Sequence, residues 1–317
     1  MNTMRTYVGL DVGKAVVDYH VRPAGECGSV PRTAQGLRRL VSVLAKYDVV
    51  TVVLEPTAGY ERVVLRALFA AKLPTKLVPP DRGRHFARSL GCRAKTDAID
   101  AGMLAHMAEV AVDDVARWTP PTPLEAEMRA LVHRRANLVR SVEAERKRRD
   151  AVEVRSAVQS HERVIRALQR EKARIEKRLD VLWPKNAAFA RRVVLLESVQ
   201  GVGRVVALTL LTEVPELGSL SRTEAAALVG VAPYNHDSGG KQGKRFIRGG
   251  RHRARAALYM ACFAGIRHNP VIKTHYTALK ARGKVGKIAL VACMRKLLIH
   301  INTLLREVPP AASAHPG

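Results

Sequence analysis

The chain has 317 residues, enough for two or three domains, and its 47% apolar content can build real cores, which excludes a disordered tail protein. Lys+Arg 54 against Asp+Glu 28 leaves a net charge of +26 and a pI near 10.7. An excess of that size repels itself unless a polyanion receives it, so nucleic acid is the first candidate partner and an anionic membrane surface the second.

The first elements alternate strand and helix. Tyr7–Asp11 and Val16–Val21 are short β-rich runs around Val12-Gly13-Lys14, the pattern of a hairpin. Leu37–Tyr47 has helical periodicity, Val49–Leu54 is the run of a fully buried strand, and Arg62–Ala71 is a second helix. A short strand at Thr75–Val78 precedes the breaker Pro79-Pro80, and a helix is expected from about Thr96 to Val110. Such alternation predicts an α/β sheet covered on both faces.

Trp118-Thr119-Pro120-Pro121-Thr122-Pro123 marks a boundary, after which the composition turns to long charged helix. Val154, Val158, His161, Ile165, Leu168, Ile175, Leu179 and Leu182 step by 4 and 3, with Lys172 in one polar slot, as an a/d seam does. An earlier seam (Leu124, Met128, Leu131, Leu138, Val142) is in another phase, so a slip or turn falls near Glu143–Val152. The arm is either a self-packed hairpin or an oligomerisation element. Pro184 ends it. Val199-Gln200-Gly201-Val202-Gly203 then lies between two helices, either a helix-hairpin-helix element offering turn amides to a phosphate or a plain helix–helix turn. Helices at Arg222–Val229, Ala254–Ile266 and Ile288–Leu305 and a frayed tail at Pro309–Gly317 complete the chain.

No uninterrupted apolar stretch approaches the roughly 18 residues of a membrane span, and Met1–Tyr7 lacks the apolar core of a secretory signal. Cys27, Cys92, Cys262 and Cys293 are scattered, without zinc-finger spacing, and fit free thiols in a reducing cytoplasm.

Four acids stand where metal-dependent phosphodiester chemistry would want them. Asp11 ends the first strand, Glu55 ends the buried strand, and Asp97 and Asp100 share one face of the opening turn of a helix. Sites in open α/β sheets form at the C-terminal edges of strands. Two carboxylates about 4 Å apart repel by roughly 4 kcal/mol at an effective dielectric near 20, and hard oxygen ligands suit Mg²⁺ or Mn²⁺. Singly, each acid is equally a strand-end polar residue or a helix cap. The joint pattern favours a metal site, with Asp18, inside the second strand, a weaker rival to Asp11.

A glycine-rich stretch, Val231 to Gly240, runs on through Lys241, Lys244, Arg245, Arg248, Arg251, Arg253 and Arg255 into a helix. These cations are expected to contact nucleic acid. Ser238 lies among them, with His236 and Asp237 the neighbouring candidate bases. A serine hydroxyl is a weak nucleophile until activated, and residue chemistry alone makes it an ordinary turn residue.

In order, Y-V-G-L-D-V-G-K, L-E-P-T-A-G-Y-E, K-T-D-A-I-D-A, G-V-G and G-V-A-P-Y-N-H-D-S-G-G-K resemble the transposases of the insertion-sequence family numbered one hundred and ten, related to the pilin-gene invertase. The resemblance covers Tyr7 to about Leu305. It implies an RNase H-like (RuvC-like) α/β domain over 1–118, a coiled-coil arm over 119–184, and a mainly α transposase domain over 185–308. It puts the family's metal-binding acids on Asp11, Glu55, Asp97 and Asp100, and its nucleophile on Ser238, which would form a covalent phosphoserine link to DNA. It further implies target and donor DNA, an element-encoded structured noncoding guide RNA, a dimer or tetramer whose protomers share each site, and a bacterial, nucleoid-associated cytoplasmic location. Ala58 departs from the family, where a second glycine is common, and little effect is expected there. The alternatives are a RuvC-like structure-specific endonuclease with water as nucleophile, a sugar-kinase-like ATPase, and a non-catalytic nucleic-acid-binding protein.

Overall fold

A computed structural model describes residues 4–90, 97–234 and 245–308. The chain divides into two compact units, Met1–Pro120 and Pro121–Gly317. Ser238, His236, Asp237, Lys241, Lys244 and Cys92 lie outside the described residues, as does the side chain of Asp97.

The first unit is built on a five-stranded sheet. Its strands are β1 (Arg5–Val12), β2 (Val16–Arg22), β3 (Cys27–Pro31), β4 (Asp48–Leu54) and β5 (Thr75–Leu77), in the order β3-β2-β1-β4-β5. The pairs β1–β2 and β2–β3 are antiparallel, whereas β1–β4 and β4–β5 are parallel. That mixed order is the sheet arrangement of the RNase H-like fold the resemblance implies. Period-2 alternation sends Val8, Leu10 and Val12 of β1 and Val52 and Leu54 of β4 to one face. There they meet helix α1 (Ala34–Leu44) through Leu37, Leu40 and Leu44, and α2 (Glu61–Ala70) through Val64, Leu65 and Leu68. The opposite face carries α4 (Asp97–Val110), packed by Leu104, Met107 and Ala108 against Val53 and Val78.

Two elements of this unit differ from expectation. Pro79-Pro80 does not break the chain but starts α3 (Pro80–Ser89), because proline at the first helical position gives up an amide that needs no partner there. Strand β3 is a short edge strand, C-G-S-V-P, with one buried side chain, Val30, so it carries no apolar alternation to read.

Among its described residues the second unit is built of helices joined by turns, with one antiparallel bridge between Tyr234 and Phe246. Helices α5 (Pro123–Asp150) and α6 (Arg155–Leu182) run back along each other, joined by residues 151–154. Thr122 and Glu125 form a capping box at the start of α5. Met128, Leu138 and Val142 of the first seam and Ile165, Ile175, Leu179 and Leu182 of the second are buried, Val132 is buried beside the half-buried seam position Leu131, and ion pairs Arg135–Glu176 (2.7 Å) and Arg178–Glu127 (2.7 Å) join the two helices. Val154, the first seam position, is exposed because it lies in the link. The remaining helices are α7 (Ala187–Glu197), α8 (Arg204–Glu213), α9 (Arg222–Val229), α10 (His252–His268), α11 (Pro270–Ala281) and α12 (Gly286–Leu304). Helix α11 was not expected; Asn269 caps it by accepting from the Val271 and Ile272 amides, with Pro270 at its first position. Against the expectation from apolar runs, Gly286–Glu307 is long and apolar enough to cross a membrane by composition. Its buried side, from Leu290 through Cys293, Met294, Leu297 and Leu298 to Ile301, lies in the core of the helical unit.

Candidate active site

The register of β1 and β4 builds the site. Gly9 pairs with Val53 and Leu10 with Leu54, so Asp11 and Glu55 follow as the next residues of two neighbouring parallel strands, a strand spacing of about 4.8 Å. Leu10 and Leu54 face α1 and α2, and alternation therefore turns Asp11 and Glu55 toward the face that α4 covers. Asp18 pairs directly with Asp11 across β1–β2 and shares that face. A mid-strand position had made Asp18 the weaker rival, but in this register mid-strand on β2 is beside the end of β1.

Gly9 sets how closely α4 approaches. A Cβ there would stand 2.1 Å from the Ala101 carbonyl oxygen and 2.2 Å from the Ala105 amide nitrogen, so only glycine admits the helix. The helix runs antiparallel to β1: Arg22, opposite Tyr7, pairs with Glu109 at 2.8 Å, near the helix C-terminus. The N-terminal turn, opening on Asp97 and carrying half-buried Asp100, thus points to the Asp11 and Glu55 end of the sheet.

Helix α3 closes on the Glu55 carboxylate. A Cβ at Gly83 would lie 2.0 Å from Glu55 Oε1, so glycine again makes the room. After Glu55 the chain turns through Ala58 (φ 52°) and Gly59 (φ 94°), and the buried Glu61 carboxylate accepts the amides of Thr57 and Gly59, each at 2.9 Å. Ala58, where the family favours glycine, holds a left-handed conformation that costs a residue with Cβ about 1 kcal/mol. Gly9, Gly83 and Glu61 are positioning residues that sequence reading missed. The P-P-D-R-G run held the signal for α3, but what the glycines touch is set by tertiary packing.

Among the described residues, no group of three or more His, Cys, Asp or Glu stands together as a metal-holding cluster. The structure brings Asp11, Asp18, Glu55 and Asp100 to one end of one face; Asp97 opens the same helix. All are hard oxygen donors, and acids on strands about 5 Å apart repel by about 3 kcal/mol at an effective dielectric near 20. The residues therefore suit Mg²⁺ or Mn²⁺.

In the helical unit, Tyr234 and Phe246 exchange backbone hydrogen bonds (2.9 and 3.3 Å), joining the two ends of the segment that contains Ser238. Arg248 lies over the Tyr234 ring at 5.5 Å, and Arg245 and Arg248 are exposed. Arg251 and Arg255, expected to grip phosphate, are engaged internally. Arg251 makes a bidentate pair with Glu216 (2.6 and 2.7 Å) and donates to the Glu213 carbonyl, while Arg255 donates to the carbonyls of Gly230 and Gly249. Half-buried Arg253 lies in the field of Glu213. Burial pulls the Glu213 carboxyl up, but the His133 hydrogen bond and the charges of His133, Arg129 and Arg253 outweigh it and hold it below the usual range. Gly230 and Gly250 pack backbone to backbone; a Cβ on Gly250 would stand 2.4 Å from the Gly230 amide nitrogen. Their role here is close packing rather than approach to phosphate. The G-V-G turn joins α7 to α8, and Gly201 (φ 97°) presses on the Ala261 carbonyl while Asn269 donates to the Gln200 carbonyl at 3.0 Å.

Residues 8–152 match the family model described as "Transposase", which covers the DEDD transposases of IS110, and residues 193–277 match "Transposase IS116/IS110/IS902 family". The pilin gene-inverting proteins of Moraxella bovis and Moraxella lacunata are each 25% identical over 316 residues, covering 96% of this chain and 97% of theirs. An IS110 insertion element protein of Streptomyces coelicolor is 30% identical over 115 residues, 36% of this chain and 28% of that protein. Among solved structures, T. thermophilus RuvC in complex with a Holliday junction substrate aligns at TM-score 0.29 and 15% identity, over 36% of this chain and 100% of that one. The fold assignment rests on the sheet order instead. Motifs and matches together define an enzyme that acts on DNA as a transposase. The chain belongs to the IS116/IS110/IS902 family of transposases.

Proposed function

We propose that this transposase recombines DNA through a serine linkage, using the carboxylate end of its sheet as a divalent-metal centre. The observation that carries the reading is the register that ends β1 and β4 side by side in Asp11 and Glu55, with α4 opening on Asp97 and Asp100 at the same end. Asp11, Glu55, Asp97 and Asp100 would hold Mg²⁺ or Mn²⁺, which would supply positive charge to stabilise the reacting phosphate and the departing oxygen.

Ser238 Oγ gives up its proton to a base or solvent and bonds to phosphorus. The P–O3′ bond breaks, and the 3′-oxygen leaves with a proton as a hydroxyl. The other DNA end stays esterified as phosphoserine. In the second half, a 3′-hydroxyl of the partner strand bonds to that phosphorus, the serine ester breaks, and Ser238 regains a proton. One phosphoester replaces another at each stage, so no energy source is consumed. Lys241, Lys244, Arg245, Arg248 and Arg253 neutralise the phosphates that approach, and Arg251 and Arg255 hold the base of the loop. An inverting reaction, as the names of the Moraxella relatives describe, is the same exchange performed on two sites of one DNA. Two protomers share each site, one giving the acids and the other the serine, within a dimer or tetramer. A structured RNA of the element pairs with target and donor DNA, and the net charge of +26 fits RNA and DNA together.

The test is a trapped adduct. Wild type with element-end DNA and Mg²⁺ should yield a denaturant-stable protein–DNA species; Ser238→Ala should abolish it along with strand exchange, and Asp11→Asn should abolish cleavage. Normal exchange by Ser238→Ala removes the serine from the mechanism. Metal-dependent cleavage by that variant without any adduct would instead favour hydrolysis by water, as in a structure-specific endonuclease.

A further inference from the structure

The outer side of α10 is built unlike a solvated helix face. The helix packs inward through Ala254, Leu258, Ala261, Cys262 and Gly265. Its other side presents Tyr259 (41% exposed), Met260 (59%) and Phe263 (48%), followed one turn later by Arg267. The spacing 259, 263, 267 stacks these residues along one stripe. The Tyr259 and Phe263 rings lie nearly parallel, with 9° between planes and 6.5 Å between centroids, and the Arg267 guanidinium sits 5.6 Å from the Phe263 ring centre. Two aligned aromatic faces and a capping cation left open to solvent are costly unless something covers them.

Charge decides what covers them. Between Asp237 and Glu307 the sequence contains no acidic residue, while lysines and arginines recur throughout. All of α10, α11 and α12 falls in that stretch, so these three helices contribute no carboxylate to repel a polyanion. A second copy of the same face would meet it with like charge. Unpaired nucleic-acid bases offer what the stripe lacks: flat rings that stack on aromatic side chains, on a backbone that attracts arginine. A duplex keeps its bases stacked on one another and offers the stripe only phosphates.

We propose that Tyr259, Phe263 and Arg267 form a stacking platform for an unpaired DNA strand, the kind of strand exposed when a transposase opens a duplex. The platform depends neither on Ser238 as nucleophile nor on a metal at the carboxylates, so its test needs no cleavage and can fail or succeed independently of them.

The full-length chain is titrated, without divalent metal, against a fluorescent thymidine oligonucleotide of about sixteen nucleotides and against a duplex of equal length. Tyr259→Ala/Phe263→Ala should weaken single-strand binding about tenfold or more and duplex binding by less than about twofold. The slope of log affinity against log salt should stay at the wild-type value, since no charge is lost, whereas Arg267→Ala should flatten it by about 0.7 on the single strand. Tyr259→Phe/Phe263→Tyr keeps both rings and should bind as wild type. Equal losses on duplex and single strand, or no loss, would overturn the proposal. So would a drop in oligomeric state in the alanine variant with single-strand affinity intact, which would mark the stripe as a self-association contact. If the double alanine variant unfolds, Phe263→Trp probes the same contact: oligonucleotide should quench emission from position 263, and unchanged emission at saturation refutes stacking.

Discussion

Gly9→Ala tests the carboxylate centre without touching a carboxylate. The added Cβ would stand 2.1 Å from the Ala101 carbonyl oxygen, 2.2 Å from the Ala105 nitrogen and 2.7 Å from the Leu104 carbonyl carbon, all backbone atoms that cannot rotate away. To restore an ordinary contact of 3.4 Å, α4 must withdraw from β1 by about 1.3 Å. Overpacking of this kind costs about 1–3 kcal/mol, or roughly 4–12 °C in the melting temperature of a unit this size. Asp97 and Asp100 ride on the displaced turn, and a misplacement near 1 Å in a catalytic constellation costs about a hundredfold in rate. Gly102→Ala is the control on the same helix: its Cβ would meet only the His20 ring, Nδ1 at 3.7 Å and Cγ at 3.9 Å, and alanine is the better helix former by up to about 1 kcal/mol. The pair is measured by thermal melting and by metal-dependent strand cleavage. Gly102→Ala should melt at or above wild type and cleave normally, while Gly9→Ala should lose on both counts. If Gly9→Ala is destabilised yet cleaves at the wild-type rate, the acids of α4 are not part of the centre; if it melts as wild type, α4 is not seated on β1 as described.

Gly83→Ala should push the Glu55 carboxylate aside, because the new Cβ would stand 2.0 Å from its Oε1, with little loss of stability because a side-chain end can yield; the metal concentration for half-maximal cleavage should rise severalfold. Ala58→Gly relieves a left-handed residue and should raise stability by about 1 kcal/mol, seen as a higher denaturation midpoint. Asn302→Leu removes the acceptor of the Gly218 amide (2.8 Å) and the donor to the Leu220 carbonyl (2.7 Å) from a site 1% exposed, and should cost about 2–5 kcal/mol in denaturant unfolding. The Glu213 carboxyl is held below its unfolded value, so its contribution is complete above the ordinary glutamate pKa and is lost as pH falls through the lowered folded value. The gap in melting temperature between wild type and Glu213→Gln should therefore be widest near neutral pH and close in acid; a gap independent of pH would refute the pairing.

The parts legible in sequence were those fixed by local pattern. Val49–Leu54 reads as a buried strand because both its faces are covered, and Glu55 at its end follows from that alone. Asp11 is legible for the same reason. Helix α3 and helix α11 were hidden by proline, which ends helices and also starts them; only the cap geometry at Pro79 and Asn269 distinguishes the two. The place of Asp18 opposite Asp11 was hidden because cross-strand pairing cannot be seen along one strand. Arg251 was overvalued as a phosphate contact because Glu216, its partner 35 positions earlier, carries no local sign of that pairing.

The distribution of charge ties these observations to the chemistry. A protein that acts on phosphodiesters must hold a polyanion and yet place acids against it, and each acid repels the substrate unless a cation intervenes. Under the function proposed above, the carboxylates at one sheet end would be such acids: Asp11 and Asp18 are paired across neighbouring strands and Glu55 follows the strand on the other side, and carboxylates that close favour cation uptake. Elsewhere the problem is avoided by omission, with no acid at all between Asp237 and Glu307. Glu213 and Glu216, just ahead of that stretch, are bound to His133 and Arg251 and so present little uncompensated charge. An acid introduced on the open stripe of α10, as in Met260→Glu, should therefore weaken single-strand binding more than its size alone would, while leaving the carboxylate centre unaltered.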